Sequence, residues 1–198
     1  GVDPAGVICY KSTDFGKTWV KQGSITYQPD LSLDPNGNKR KTLGWTEPAF
    51  AALQNGTFLS VLRTQDGFGK SPMYWTTSIN KGVSWSTPKV FTGNGVLPKL
   101  LELNNGVVAL ASGRPGVQLR FMLNNDPNDW SEPFEMLPWV EGEGSSAGDP
   151  TGTSCGYTQM LKMDDNSFLI IYSDFQYKTP EGLTRKAIKA RKVTVKRI

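Results

Sequence analysis

EPAFAALQNGTFLSVLRT, residues 47–64, sets the pattern of this chain, because two later stretches repeat it. The copies are LPKLLELNNGVVALASGR at 97–114 and YTQMLKMDDNSFLIIYSD at 157–174. Each copy has a Leu or Met six residues after its first residue, and two residues later comes a polar pair: Asn55-Gly56, Asn105-Gly106 or Asp165-Asn166. Asn-Gly between short runs of Phe, Val, Ile and Leu is a strong hairpin signal. Each copy therefore predicts two antiparallel strands.

A shorter repeat lies between the hairpins. STDFGKTW at 12–19 and SINKGVSW at 78–85 place Ser, then Asp or Asn, then Gly, a hydroxyl residue and Trp at the same offsets. A third, more divergent copy is LNNDPNDW at 123–130, in which Asn125 stands at the Asp position and Pro127 at the Gly position. Asp and Asn fold back onto backbone N–H groups, and Gly takes positive φ, so the repeat predicts tight turns. We expect the tryptophan that closes each turn to be a buried hydrophobic peg.

Together the two repeats predict an all-β chain of four-stranded antiparallel units in up-and-down order, which is the blade of a β-propeller. The turns divide a single propeller portion, 1–198, into about three and a half blades: the end of one blade at 1–24, blades at 45–92 and 95–138, and a last blade at 153–198. A propeller closes with about four to eight blades. Closure would therefore need a second copy of this chain or an N-terminal half.

The closing stretch RKAIKARKVTVKRI, 185–198, alternates basic and apolar residues. We interpret it as a last strand whose lysines and arginines face water and discourage pairing at the sheet edge. Nucleic-acid binding is the less favoured interpretation.

Composition limits the chemistry. The 198 residues are 37% hydrophobic and include six Trp, enough for a core, and no run of about 18 apolar residues predicts a membrane span. The sequence has no His, which excludes Ser-His-Asp and Cys-His nucleophile pairs from this chain and, with only two Cys, disfavours a catalytic zinc. Cys9 and Cys155 allow either a disulfide or two thiols, and thiols are favoured. Catalysis would have to use carboxylates, Tyr, Lys or Arg.

The repeat alignment brings candidate site residues together. Glu47, Leu97 and Tyr157 occupy the same position just before the innermost strand, so we expect them to point toward the central axis at one end. Arg63 and Arg114 end the second strands and are expected to return to the same face, although Arg114 is offset by one residue. Taken singly, the arginines also fit solvated strand ends, Glu47 a surface acid and Tyr157 an amphipathic core ring.

The stretch PWVEGEGSSAGDPTG, 138–152, comes shortly before Tyr157. Trp139 would be able to stack on a sugar ring there, although a Gly-Ser surface connection is the favoured interpretation. The acidic residues of this stretch do not follow the spacing of an EF-hand loop, so no metal site is predicted.

The ordered set of motifs resembles the C-terminal half of the sialidase (neuraminidase) family of six-bladed propellers, and the resemblance covers nearly the whole chain. It is carried by the Asp-type turns, by Glu-Pro before a hairpin that ends in Arg63, by GRPG at 113–116 and by Gly-Tyr-Thr at 156–158. The resemblance implies that Arg63 and Arg114 hold the carboxylate of sialic acid. It also implies that Tyr157 is the nucleophile and that Glu47 activates it.

What the resemblance implies is an exo-glycosidase that retains configuration and needs no cofactor. Arginine matches a carboxylate through two parallel N–H groups, and a neutral Tyr nucleophile avoids the repulsion that a second carboxylate would feel. In the family, a third arginine and an Asp general acid lie in the N-terminal blades, so this chain resembles half a site. The implied partner is a sialylated or other acidic glycan, and the implied location is secreted or periplasmic.

The sequence also leaves two other function classes open. One is a non-catalytic propeller that binds acidic glycans through the arginine pair. The other is a structural interaction module. Binding a carboxylate requires arginines but no activated phenol, so Glu47 together with Tyr157 favours the enzyme.

Overall fold

The computed structural model describes residues 4–40, 43–66, 71–114, 116–138 and 157–196, and within these ranges it contains thirteen β-strands and no helix. The strands are β1 (Val7–Lys11), β2 (Val20–Ile25), β3 (Trp45–Ala52), β4 (Phe58–Thr64), β5 (Pro72–Ser78), β6 (Lys89–Asn94), β7 (Val96–Glu102), β8 (Val108–Gly113), β9 (Val117–Met122), β10 (Phe134–Leu137), β11 (Thr158–Lys162), β12 (Ser167–Lys178) and β13 (Thr184–Thr194). The described ranges thus contain no helix long and apolar enough to cross a membrane.

The strands form four antiparallel sheets that follow chain order. The first sheet is β1-β2, the second β3-β4-β5-β6, the third β7-β8-β9-β10 and the fourth β11-β12-β13. The predicted all-β class with four-stranded antiparallel units is confirmed, with three strands described in the fourth sheet. The basic closing stretch supplies β13 at a sheet edge, where most of its Lys and Arg side chains are exposed.

Successive sheets pack face to face, because their central strands are apolar on both sides. In β8, Val108 and Leu110 pack toward the second sheet, whereas Ala109 and Ala111 pack toward the fourth. All six residues of β8 are buried. A strand covered on both faces gives a continuous apolar run instead of the alternation of a half-exposed strand. The first strands also lie side by side, β3 against β7 and β7 against β11.

The hairpin turns of the second, third and fourth sheets lie at the same end of the molecule. The Gln54 backbone N–H donates to Glu102 Oε2 at 2.9 Å, and the Asn105 side-chain amide donates to Asn166 Oδ1 at 3.0 Å. Since each hairpin runs away from its turn, the residues that begin these hairpins lie at the opposite end.

The first two Asp-type turns are built alike. Ser12 Oγ donates to Asp14 Oδ1 at 2.8 Å and accepts from the Gly16 N–H, also at 2.8 Å. In the second turn, Ser78 Oγ donates to Asn80 Oδ1 and accepts from the Gly82 N–H, both at 2.9 Å. Both glycines have positive φ, 85° and 84°, as predicted.

The third turn differs from the sequence expectation. Asp126, not Asn125, supplies the turn acceptor, since its Oδ1 takes the Asn128 backbone N–H at 2.9 Å. Both Asn124 and Asn125 have positive φ, 53° and 55°, which moves the side-chain acceptor one residue along. The indole of Trp130 still donates to the Pro127 carbonyl, at 2.9 Å, just as Trp19 donates to Gly16 at 3.1 Å.

The expectation that Trp19 is buried was wrong. Its side chain is 60% exposed, whereas Trp85 and Trp130 are half-buried between sheets. Trp19 lies at a groove of about 510 Å³ between the first and second sheets, which Tyr10, Phe50 and Trp85 also line. The free thiol of Cys9 also lines this groove, and burial raises its pKa while the nearby Trp85 indole opposes that rise.

The buried turn at Ser78 should contribute more stability than its exposed counterpart. Ser78 is 2% exposed, so Ser78→Ala removes the acceptor of the buried Gly82 N–H, which water does not reach easily. We expect a loss of about 1–3 kcal/mol in the free energy of unfolding. The matched Ser12→Ala should cost about 0.5 kcal/mol or less, because its turn is more exposed. Urea unfolding measures both, and equal losses would contradict the difference in burial.

The carboxyl group of Asp14 in the first turn should titrate at an unusually low pH. Hydrogen bonds from the Thr18 hydroxyl and backbone N–H, and from Ser12, lower the pKa of Asp14 to about 2. Because the folded pKa is depressed, the stabilisation is present above the ordinary pKa of about 4 and is lost as the pH falls toward 2. Carboxyl carbon NMR should therefore show Asp14 titrating near pH 2, and Thr18→Ala should move that midpoint upward. An unchanged midpoint in the variant would contradict the assigned cause.

Candidate functional site

Two equivalent bulges position Glu47 and Leu97. The register between β3 and β4 shifts between Thr46 and Ala49, and that between β7 and β8 shifts between Val96 and Lys99. Glu47 has φ 45° and Leu97 has φ 46°, which confirms that they occupy one repeat position. Each precedes a proline, which has no N–H for the ladder and therefore suits a bulge.

The bulge conformation is strained. A residue before proline normally adopts an extended backbone, and a non-Gly residue at positive φ costs about 1–3 kcal/mol. Such positions persist only where the surroundings impose them. Here the positive φ and the bulge take Glu47 out of the regular alternation of side chains along β3.

The carboxylate of Glu47 joins two sheets. Its Oε2 accepts from Arg63 Nη1 at 2.8 Å and from the Leu97 backbone N–H at 2.8 Å. Arg63 belongs to the same sheet, in the strand paired with β3, whereas Leu97 opens the next sheet. The side chain of Arg63 is 10% exposed and that of Glu47 is 26% exposed, so the ion pair is partly shielded from water.

Arg114 directly follows the corresponding strand of the third sheet, β8. Val96 pairs with Gly113, whereas the equivalent Thr46 pairs with Arg63, so the predicted one-residue offset of Arg114 is confirmed. Arg114 lies just beyond β8 with φ 49°, and the strand alternation no longer dictates where its side chain points. It forms no ion pair with the described residues.

Both arginines carry an unsatisfied nitrogen. The Nε atoms of Arg63 and Arg114 are buried and donate to none of the described residues. Buried donors are nearly always hydrogen-bonded in native proteins, so each orphan calls for an explanation such as a ligand or water. Arginine cannot relieve the cost by losing its proton.

Tyr157 begins the fourth sheet at the same end as Glu47. Its carbonyl accepts from the Ser173 N–H at 3.3 Å, and β11 pairs with β12 without a bulge. The residue is 52% exposed. Among the described residues, no hydrogen bond joins its hydroxyl to Glu47 or to either arginine. The structure thus brings Glu47 and Arg63 into contact and places Arg114 and Tyr157 at matching ends of the next two sheets.

Two of the residues singled out in the sequence lie outside the described ranges: Trp139, the candidate for sugar stacking, and Cys155. Within those ranges, no group of three or more Cys, Asp or Glu side chains is arranged to hold a metal ion.

A buried ion pair at this end was not predicted. Asp174, the last residue of the third repeat copy, is 3% exposed, and its Oδ2 lies 2.7 Å from Lys189 Nζ. Its Oδ1 accepts from the Gln176 N–H at 3.0 Å. The repeat alignment does single out Asp174, because it occupies the position that Arg114 has in the second copy. Its partner Lys189 lies on β13, outside the repeat, so the alignment does not reveal the ion pair.

No protein-family model matches the sequence, and no curated protein matches it either. Solved structures do share its fold. A protein of unknown function from Dyadobacter fermentans matches with a TM-score of 0.64 and 17% identity, over 94% of this chain and 45% of that chain. The K499G mutant of the NanB sialidase from Streptococcus pneumoniae matches with a TM-score of 0.60 and 17% identity, over 98% of this chain and 28% of that chain. The α-L-arabinanase of Penicillium chrysogenum, complexed with arabinobiose, matches with a TM-score of 0.58 and 17% identity, over 96% of this chain and 55% of that chain.

The fold is a β-propeller fold. The matched propellers include glycoside hydrolases with different substrates, and at 17% identity the likeness carries the fold and not the substrate. This chain spans 28% to 55% of these three solved chains.

Removing the Glu47 carboxylate should destabilise the chain. Glu47→Ala leaves a partly buried guanidinium without its anion and the Leu97 N–H without its acceptor, so we expect a loss of about 2–3 kcal/mol in the free energy of unfolding. Glu47→Gln keeps an oxygen acceptor and should lose less. The control is Glu135→Ala, an exposed glutamate of β10, which should change stability by about 0.5 kcal/mol or less. Urea unfolding compares the three, and a Glu47→Ala loss equal to that of the control would contradict the joining role.

Proposed function

We propose that this chain is part of a sialidase-like exo-glycosidase that removes a terminal sialic acid, or a related acidic sugar, from glycoconjugates. In this proposal Arg63 and Arg114 bind the carboxylate of the sugar, Tyr157 attacks the anomeric carbon and Glu47 takes the phenol proton. The bond from the anomeric carbon to the glycosidic oxygen breaks as the tyrosyl-glycoside forms, and the leaving alcohol takes its proton from a general acid, which in the sialidase family lies in the N-terminal blades. Water then hydrolyses the tyrosyl-glycoside, so that the reaction retains configuration. A secreted or periplasmic location belongs to the same proposal, because glycoconjugate substrates are found there.

The buried, unpartnered Nε atoms of Arg63 and Arg114 are the observation that carries the proposal. They are donors that no described residue satisfies, and arginine binds carboxylates through paired N–H groups. Charge supports the same assignment. Glu47 neutralises Arg63, while Arg114 has no carboxylate partner among the described residues, so the pair of arginines keeps one net positive charge for one substrate carboxylate.

Tyr157 supplies the group that distinguishes catalysis from binding. A phenol has an ordinary pKa near 10 and attacks poorly at neutral pH unless a base takes its proton. The exposed position of Tyr157 leaves it open to substrate, and Glu47 begins a hairpin at the same end of the molecule. Substrate binding would have to bring the phenol and the carboxylate into hydrogen-bond reach, as apo geometry is often looser than that of the complex.

A non-catalytic propeller that binds acidic glycans is the second candidate. The observation that favours it is the double hydrogen bond to Glu47 Oε2, which suits a structural carboxylate at least as well as a general base. The two candidates share the arginines and differ in the roles of Tyr157 and Glu47.

Hydrolysis of the fluorogenic substrate 4-methylumbelliferyl α-N-acetylneuraminide separates them. Tyr157→Phe should lower kcat/KM by about 10³-fold or more, because no other group replaces the nucleophile. The matched control is Tyr10→Phe on β1, outside the proposed site, which should leave kcat/KM unchanged within about twofold. The molecular mass of the assayed species is measured in solution, so that any activity is assigned either to the single chain or to an assembly of several chains.

Three results would decide between the proposals. Tyr157-dependent hydrolysis supports the enzyme. Binding of N-acetylneuraminic acid without hydrolysis, weakened about tenfold or more by Arg63→Lys but not by Tyr157→Phe, supports the glycan-binding propeller. If the chain shows no hydrolysis and no saturable binding, both proposals are wrong.

A further inference from the structure

A second pocket lies on the outer side of the contact between the second and third sheets. It encloses about 340 Å³, and its aromatic walls are Trp75 and Phe91 from the second sheet and Trp130 from the turn before β10. None of Glu47, Arg63, Arg114 and Tyr157 lines it. A volume of this size is at the low end for ligand pockets and suits a ligand of one or two small rings.

The aromatic walls of this pocket are held in place. Phe91 and Trp130 meet edge to face with ring centroids 5.3 Å apart, and the Trp130 indole N–H is fixed on the Pro127 carbonyl. Phe91 is buried and Trp130 is half-buried, so the indole still presents apolar surface to the pocket. A rigid apolar ring surface of this kind binds the C–H face of a flat ligand at low entropic cost.

A cation and an anion line the same pocket without pairing. The guanidinium of Arg120 lies 5.7 Å from the Phe91 ring centroid, and its Nη1 donates to the Ser131 carbonyl at 3.4 Å. Burial lowers the pKa of Arg120, and the negative charge of the nearby Glu132 opposes that change. Yet no ion pair within 4.0 Å joins Arg120 to any described carboxylate.

Space beside this guanidinium is kept open by Gly93. A Cβ at Gly93 would lie 3.4 Å from Arg120 Nη2, and φ of +94° disfavours any other residue there. Arg120 Nη2 makes no hydrogen bond with the described residues, so it is available to a ligand.

The geometry points to this pocket as a binding site for a neutral pyranose ring. A guanidinium only donates and a carboxylate only accepts, so a hydroxyl group, which does both, satisfies Arg120 and Glu132 together. Glu132 would repel an anion, Arg120 would repel a cation, and a purely apolar ligand would leave both charges unpaired. The aromatic walls then take the C–H face of the ring. The site is separate from the proposed glycosidase site and does not depend on that proposal.

Saturation-transfer difference NMR with methyl β-D-galactopyranoside and methyl β-D-glucopyranoside tests the site on the full chain. We expect saturable binding of at least one glycoside in the millimolar range, with Trp130 resonances perturbed. Arg120→Gln and Glu132→Ala should each weaken that binding about tenfold, because each removes a charged hydrogen-bond partner. Glu132 is exposed, so its variant should fold even if Arg120→Gln does not.

Two controls fix the location. Glu135→Ala, an exposed glutamate of the same β10 region that does not line the pocket, should leave affinity within about twofold. Arg63→Lys should also leave it unchanged, since Arg63 belongs to the other site.

Four outcomes would overturn the inference. They are the absence of saturable binding for both glycosides, binding that survives both pocket variants, binding that Arg63→Lys removes, and Arg120-dependent binding of N-acetylneuraminic acid in place of the neutral glycosides. The last would mean an anion site. Any of these outcomes would leave the result of the Tyr157 assay unaffected, so the two proposals are tested separately.

Discussion

Burial of both faces of the central strands is the constraint on which this structure depends. β4 and β8 are almost entirely buried, and that is achieved only when a sheet packs on each side of them. A propeller blade is therefore not an independent unit, since its stability comes from its neighbours. In the two-stranded first sheet, by contrast, Ile8, Tyr10 and Trp19 are each more than half exposed.

Face-to-face packing leaves the strand ends free for function, and three non-glycine residues there, Glu47, Leu97 and Arg114, have positive φ. Glu47 and Leu97 adopt positive φ ahead of a proline, a combination that no local preference favours. The hydrogen bond from the Leu97 N–H to Glu47 ties the two strained positions together across the sheet boundary. A side chain held in this way is pre-organised, because the fold, and not the ligand, meets most of the cost of placing it.

Local sequence patterns predict most of the fold, but they do not predict which residues of different sheets contact each other. The Asn-Gly hairpins and the first two Asp-type turns depend on residues within a few positions of each other, so the sequence displays them directly. The buried state of Trp19 was predicted wrongly because burial depends on the neighbouring sheet. The third turn was assigned to Asn125 because the alignment could not show two consecutive positive φ angles. The pocket around Arg120 and the ion pair of Asp174 join residues from different repeat units or from outside the repeat, which no repeat alignment compares.

The two oxygens of Glu47 allow one carboxylate to have a structural and a chemical role. Oε2 holds Arg63 and the Leu97 N–H, and this fixes both the side chain and the boundary between two sheets. Oε1 accepts no hydrogen bond from the described residues, and the side chain remains partly exposed. A carboxylate oxygen has two lone-pair sites, so Oε1 is free to accept a proton from a phenol or a hydroxyl from a bound sugar. The structural role of Glu47 therefore does not exclude the proposed catalytic one. It fixes the direction from which Tyr157 or a substrate would have to approach.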